Sequence, residues 1–241
     1  MDLITDFQKL VSDNTKQSIT FLENIYKLTL EDKHYEFYKN INKYYTLITF
    51  WINAFKSNVI SNDKSILLDN ILLDYCSLMH CVTLGDIKLI NFLFRNIIES
   101  ILRYITDELE TKDLESLFKK MSSGIVDNTE KYLLQTYASQ IKQVYDDTCL
   151  YIHTDISKIQ QNLTNLIDYK LNLEESKIDF LNNTFNKMNI SILNILRIKY
   201  YPIYLAMKDN AKGFHDQFIP LEDKIKFQRF LKYKSNNMNC F

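Results

Sequence analysis

Glycine and proline are nearly absent from this chain, which has three glycines and two prolines among 241 residues. β-Sandwiches, barrels and glycine-rich phosphate loops need these residues at their turns. Helices do not, and apolar side chains recur along most of the sequence at steps of three and four residues. The sequence therefore predicts an all-α fold, a helical bundle of about six to eight helices.

Local signals place the ends of the predicted helices. Gly85 stops one helix and Asp86 caps the next. A break is expected near Ser12, and another just after His153, where Thr154 and Asp155 cap a new helix. We expect helices at about residues 3–30, 32–58, 65–84, 86–109, 113–121, 128–169, 174–206 and 221–234. The last of these is short and basic.

Two further residues that break regular structure lie near the C-terminus. Pro202 lies near the end of the last long helix, where it can introduce a kink. Gly213 and Pro220 predict a loop before the basic helix at 221–234.

No repeat, linker or shift in composition divides the chain. We therefore expect a single helical domain over residues 1–241, with an appended N-terminal helical extension at 1–82 as the alternative. The most apolar stretch, Ser65 to Leu84, is interrupted by Asp69 and Asp74. The stretch is otherwise apolar on most sides, which predicts a deeply buried helix. The two carboxylates argue against a membrane span.

Charge and cysteine content limit the classes of function. The formal net charge is −1, from 29 basic and 30 acidic residues, so any RNA contact has to be local. Four cysteines occur without a zinc-module spacing, and the N-terminus lacks the basic and apolar regions of a signal peptide. These features predict a cytoplasmic protein with reduced thiols, no membrane contact and no metal.

Two stretches of sequence carry the candidate site. Arg95, Glu99 and Arg103 are spaced four apart and share one side of a predicted helix. About forty residues later, Tyr145, Cys149 and His153 share one side of another. If the two helices pack together, a guanidinium and an imidazole can meet.

These stretches resemble a pattern of the HEPN superfamily of prokaryotic helical proteins, which has branches linked to abortive infection. The pattern is Arg, three residues, Glu, and then Tyr, Ser and Val-His, each a few residues apart. Arg95-Asn-Ile-Ile-Glu99 and Tyr145-Asp-Asp-Thr-Cys149-Leu-Tyr-Ile-His153 are similar to it, and the resemblance covers about residues 90–156. It implies a HEPN-like core with added helices that often dimerises, with polar residues of two helices gathered in a cleft.

The resemblance also implies a function. Many HEPN proteins are metal-independent RNases of prokaryotic defence or toxin–antitoxin systems. The resemblance therefore implies RNA and an antitoxin or other protein as partners. It also implies a homodimer and no cofactor. Other HEPN proteins bind nucleotides or lack catalysis. A non-catalytic helical interaction or nucleotide-binding protein is therefore the alternative.

The resemblance assigns a chemical role to each residue. His153 can move the proton of the 2′-hydroxyl or of the leaving oxygen near neutral pH. Arg95 can stabilise the charge that develops on the phosphorane, Glu99 can orient Arg95, and Tyr145 can donate a hydrogen bond. The chain departs from the family in two ways: no arginine stands four to six residues before a histidine, and Cys149 occupies the position of the serine.

Simpler interpretations apply to the same residues. Arg95, Glu99 and Arg103 can form intrahelical ion pairs on a solvated face, and His153 can be a helix-end histidine. Cys149 with His153 suggests a nucleophile and base, although a helix interior offers no oxyanion hole.

Three other groups have two interpretations each. Cys76 and His80 suggest metal ligands or a buried thiol beside a hydrogen-bonded histidine. The segment Lys224–Lys234 suggests RNA contacts or a solvated basic helix. An aromatic stripe suggests base stacking or core, and consists of Tyr35, Tyr38, Tyr44, Tyr45, Phe50 and Trp51.

Overall fold

The computed structural model describes residues 3–27, 29–30, 32–58, 60–110, 113–152 and 175–238. Every regular element in these ranges is a helix, which confirms the predicted all-α class. The helices are α1 (Leu3–Tyr26), α2 (Asp32–Lys56), α3 (Asn62–Thr83), α4 (Ile87–Thr106), α5 (Leu114–Met121), α6 (Asn128–Ile152), α7 (Glu175–Lys199), α8 (Tyr201–Ala206), α9 (Asp209–Phe218) and α10 (Leu221–Met238).

The described ranges therefore contain ten helices, more than the six to eight predicted. The predicted last long helix is interrupted at Tyr200, and Pro202 lies in the first turn of the short helix that follows, where a missing backbone N–H costs nothing. The predicted loop at Gly213 is wrong, because this glycine lies inside α9. The basic C-terminal helix starts at Leu221 as predicted and continues beyond 234.

The predicted break near Ser12 is also wrong, since α1 runs through it without interruption. Val11 is buried, and Thr15 is buried one turn later. The Thr15 hydroxyl donates a hydrogen bond of 2.6 Å to the Val11 carbonyl, so the polar side chain is satisfied inside the helix. Exposed Asp13 points away from this buried face.

Capping carboxylates confirm two predicted helix starts. The Asp86 carboxylate accepts a hydrogen bond of 2.9 Å from the Leu89 N–H at the start of α4. Asp113 does the same for the Glu115 N–H at 3.0 Å in α5. Gly85, which precedes the first cap, has φ +65°, a left-handed conformation that favours glycine.

Helices α2, α4 and α7 form the centre of the core. Phe37 and Trp51 of α2, Phe94 of α4 and Phe185 of α7 are fully buried. Helix α7 packs against both α2 and α6, and α4 packs against α6. The last contact brings the two candidate stretches side by side.

Helix α3 is less deeply buried than predicted. Leu68 and Tyr75 face the core, but Leu73 is 62 % exposed and Ile66 50 % exposed. Among the described residues α3 is long and apolar enough to cross a membrane by length and composition, with a mean hydropathy of 1.3, and 39 % of that window is buried in the fold. A core helix of a soluble protein has the same properties.

Candidate functional site

Three of the four predicted site residues meet where α4 packs on α6. The Arg95 guanidinium donates a hydrogen bond from Nη2 to the Tyr145 hydroxyl. That hydroxyl in turn donates a hydrogen bond of 2.9 Å to Glu99 Oε1. Arg95 Nη2 lies 3.7 Å from the same carboxylate oxygen, and the guanidinium carbon lies 4.5 Å from the centre of the Tyr145 ring. Arg95, Glu99 and Tyr145 are called the α4–α6 cluster below.

The α4–α6 cluster is half-buried. The side chain of Arg95 is 19 % exposed and that of Glu99 30 % exposed, while Tyr145 belongs to the core. Burial raises the pKa of Tyr145, so its hydroxyl stays protonated and able to donate near neutral pH. The Arg95–Glu99 ion pair is therefore part of a contact between two helices, and not an isolated pair on a solvated face.

Two other polar residues on this side of α4 have structural roles. Arg103 donates a hydrogen bond of 2.6 Å to the Leu109 carbonyl, which stabilises the segment that follows α4. Asn91 is fully buried and donates to the Ile87 carbonyl at 2.8 Å. The polar residues on this side of α4 therefore divide into the α4–α6 cluster, a helix-end arginine and a buried amide.

Cys149 lies one turn after Tyr145 on α6 and packs against the core. Burial raises the pKa of its thiol, and the negative charges of Asp146 and Glu99 act in the same direction, against Arg95. The thiol is therefore protonated near neutral pH, which argues against Cys149 as a nucleophile. His153 lies outside the described residues, so its proximity to Arg95 stays a prediction.

Two exposed apolar side chains of α4 were not predicted from the sequence. Leu89 is 40 % exposed and Phe92 46 % exposed, although most large apolar residues of α4 are buried. Phe92 lies one turn before Arg95 and two turns before Glu99, on the same side of the helix. Helical spacing gave no signal for this exposure, because it depends on which faces α6 and α3 cover.

The other sequence candidates give no site in the described part of the chain. Cys76 is exposed, which makes the buried-thiol interpretation wrong, and the His80 ring is hydrogen-bonded to the Tyr26 hydroxyl at 3.0 Å. No group of three His, Cys, Asp or Glu side chains suited to a metal occurs in the described ranges.

The aromatic stripe and the basic helix are also accounted for by contacts in the fold. Tyr38, Tyr44 and Trp51 are core residues. In α10, Lys226 pairs with Glu222 at 2.7 Å and Lys234 with Asp127 and Glu130, so part of the basic charge is neutralised.

A second polar cluster lies buried around Arg197, a residue that sequence analysis did not single out as a site. Its guanidinium donates to Asp216 and to the Asp223 carbonyl, both at 3.2 Å. His215 packs beside it against Trp51 and Tyr204. Burial lowers the pKa of His215 to about 4, so this histidine is neutral at physiological pH. With Arg197 fully buried, this cluster is structural.

Comparisons with known proteins leave the relationship of this chain open: no protein-family model, no curated protein and no solved structure matches it.

Proposed function

We propose that this chain is a HEPN-like, metal-independent endoribonuclease of a prokaryotic defence or toxin–antitoxin system, with Arg95 and His153 as its catalytic residues. The observation that carries the proposal is the contact between Arg95, Glu99 and Tyr145. Arg95 on α4 and Tyr145 on α6 lie 50 positions apart in the sequence and are joined by a hydrogen bond, and the HEPN resemblance implies that polar residues of two helices gather in a cleft.

The geometry of the α4–α6 cluster suits phosphate chemistry. Glu99 and Tyr145 hold the guanidinium in one orientation, which reduces the entropy lost when it binds a phosphate. The Arg95 side chain is partly exposed, so a phosphate can approach it. A fixed arginine stabilises charge on a phosphorane more than a mobile one, because it needs no reorganisation during the reaction.

His153 supplies the proton-transfer group in this proposal. Tyr145, Cys149 and His153 are spaced four apart in the sequence, so a helix that continued through His153 would bring the imidazole to the same side as Tyr145 and Cys149. An unperturbed imidazole titrates near pH 6.5, which suits acid–base chemistry on RNA without a metal.

Cleavage of total RNA and tRNA in EDTA tests this proposal. We expect cleavage by the wild-type protein and a loss of about 100-fold or more in Arg95→Ala and in His153→Ala. Tyr145→Phe keeps the ring but loses the hydroxyl, and an intermediate loss is expected. The matched control is Lys16→Ala, which removes an exposed cation of α1, outside both the α4–α6 cluster and the basic helix α10.

Circular dichroism establishes that each variant is folded before its activity is compared. RNA that the folded wild-type protein leaves intact, or equal cleavage by wild type and by folded Arg95→Ala, contradicts the proposal.

The second candidate function is a non-catalytic interaction protein, and the exposed apolar side chains of α4 favour it. Phe92 is an exposed apolar residue one turn before Arg95, whose charge is already balanced by Glu99, and Leu89 is exposed a further turn earlier. Exposed apolar groups next to a polar cluster are typical of protein–protein interfaces. The partner in this candidate is a second copy of the chain, in keeping with the dimers of the family it resembles.

Light scattering coupled to gel filtration tests the dimer. We expect twice the 28.7 kDa chain mass for the wild type and the monomer mass for Phe92→Lys, because a lysine at the centre of an apolar interface is costly to bury. Phe21→Lys is the matched control, since Phe21 is exposed on α1. A wild-type monomer at 100 µM protein (roughly tenfold above a Kd in the 10 µM range) contradicts this candidate.

A further inference from the structure

A pocket of about 530 Å³ opens between α1, α2 and α9. This volume is within the range of small-molecule sites, which runs from about 300 to 1,000 Å³. Its polar lining comes mainly from α2, with Glu36, Lys39, Asn40 and Lys43. None of these residues belongs to the α4–α6 cluster, so the pocket is a feature separate from the proposed RNA site.

Lys43 is the least exposed charged residue of the pocket lining. It is half-buried, and its ammonium donates a hydrogen bond of 2.6 Å to Asn40 Oδ1. The Asn40 amide is itself fixed by a hydrogen bond of 2.8 Å to Asn182 on α7. The Lys43 ammonium lies 4.1 Å from the centre of the Tyr44 ring and 5.2 Å from that of Phe218. Two amides and two rings therefore hold this cation in place.

This cation has no carboxylate within ion-pair distance in the described part of the chain. Burial lowers the pKa of Lys43 to about 8, and nearby Lys39 acts in the same direction, against Glu36. A half-buried cation with no carboxylate in direct contact is destabilising, and an anion that occupied the pocket would relieve that cost. An ammonium has three donors, and the hydrogen bond to Asn40 uses one.

The rest of the pocket lining indicates which chemical group is attached to the anionic group of the ligand. Tyr35, Val11 and Phe218 supply apolar surface, and Gln8 and Ser12 on α1 add uncharged polar groups. The charged side chains of the lining are Lys39, Lys43 and Glu36, which give a net charge of +1 when Lys43 is protonated. One negative group attached to an apolar or aromatic body is complementary to this lining.

We infer that the pocket binds a small organic anion, with a carboxylate or phosphate group at the Lys43 ammonium and an apolar body against Tyr35 and Phe218. Binding then holds α1, α2 and α9 together, because all three helices line the pocket. This gives the protein a ligand site that is independent of any action on RNA.

Calorimetric titration of the full-length protein with phenyl phosphate and with benzoate tests the inference. We expect saturable binding of at least one of them, at least tenfold weaker binding by Lys43→Met, and unchanged binding by Lys56→Met. Lys56 is on the same helix but pairs with Asp69 at 2.5 Å, outside the pocket. Binding of phenyl phosphate alone or benzoate alone identifies the anionic group.

The pH dependence of wild-type binding gives a second readout that needs no variant. An anion stabilises the charged lysine, so binding requires a protonated Lys43 and weakens as the pH rises through about 8. Between pH 7.5 and 9.0 the protonated fraction of such a lysine falls about eightfold, and the affinity is expected to fall equally at constant ionic strength. If Lys43 had the ordinary lysine pKa of about 10.4, the binding affinity would hardly change in this pH range.

Three results overturn the inference. One is the absence of saturable binding of both probes at millimolar concentration, and another is equal binding by wild type and Lys43→Met. The third is binding of inorganic phosphate as tight as that of phenyl phosphate, which shows that the apolar wall contributes nothing. None of these measurements involves RNA, so they are distinct from the test of the proposed nuclease.

Discussion

Phe185→Ala is expected to lower the free energy of unfolding by about 3–5 kcal/mol, because it removes a ring of α7 on which three other helices converge. The Phe185 ring on α7 is fully buried. It lies 5.7 Å from the ring of Phe37, 5.6 Å from Tyr44, 5.8 Å from Tyr75 and 5.5 Å from Phe94, measured between centroids. Since these partners come from α2, α3 and α4, no single neighbouring helix can move to fill the cavity.

Urea unfolding followed by circular dichroism measures the effect. Phe21→Ala is the control, because Phe21 is 56 % exposed on α1 and its loss is expected to change the free energy by about 0.5 kcal/mol or less. A loss below about 1 kcal/mol for Phe185→Ala would show that the core collapses around the missing ring, contrary to the packing described here.

Arg197→Ala is expected to lower the free energy of unfolding by a similar amount, about 3–5 kcal/mol, because it truncates a fully buried side chain and removes its charge-assisted hydrogen bonds. The Arg197 side chain has no exposure to solvent, and its guanidinium carbon lies 4.0 Å from the centre of the Phe227 ring. Its loss removes the cationic partner of Asp216 and the hydrogen bond that Arg197 donates to the Asp223 carbonyl. The Tyr204 hydroxyl donates a hydrogen bond of 2.7 Å to the same carboxylate, which Arg197 no longer holds in place.

The region of the protein that is destabilised distinguishes this effect from a general loss of core volume. Arg197 links α7 to α9 and α10, so hydrogen exchange is expected to accelerate first in residues 209–238. The control is Arg229→Ala, which truncates an exposed arginine on α10. Its free energy of unfolding is expected to lie within about 0.5 kcal/mol of the wild-type value. Unchanged exchange in 209–238, with unchanged stability, would refute the role of Arg197 as a link between these helices.

The candidate site was only partly predictable from sequence. Spacing placed Arg95 with Glu99 and Tyr145 with Cys149, because residues four apart share a helix face. That Arg95 donates to Tyr145 depends on how α4 and α6 pack, which local spacing does not encode. The neighbouring exposure of Phe92 was missed for the same reason.

The pocket at Lys43 and the cluster at Arg197 were missed more completely. Lys43 stands among other polar residues of α2, and it is enclosed by α1 and by Phe218, which lies about 175 residues later in the sequence. Arg197 follows a long apolar run and looks like a helix-end cation, yet α8, α9 and α10 fold over it and bury it. In both cases the burial of a charge depends on distant parts of the chain.

The sequence by itself determined the helical class and most helix ends. Scarce glycine and proline, apolar periodicity and caps such as Asp86 and Asp113 act through contacts within about four residues, which the local sequence contains. Tertiary packing decided that α1 continues through Ser12, that Gly213 lies within a helix, and which faces of α3 and α4 remain exposed. These outcomes depend on apolar area buried between distant helices, and this burial energy exceeds the local preference of any single residue.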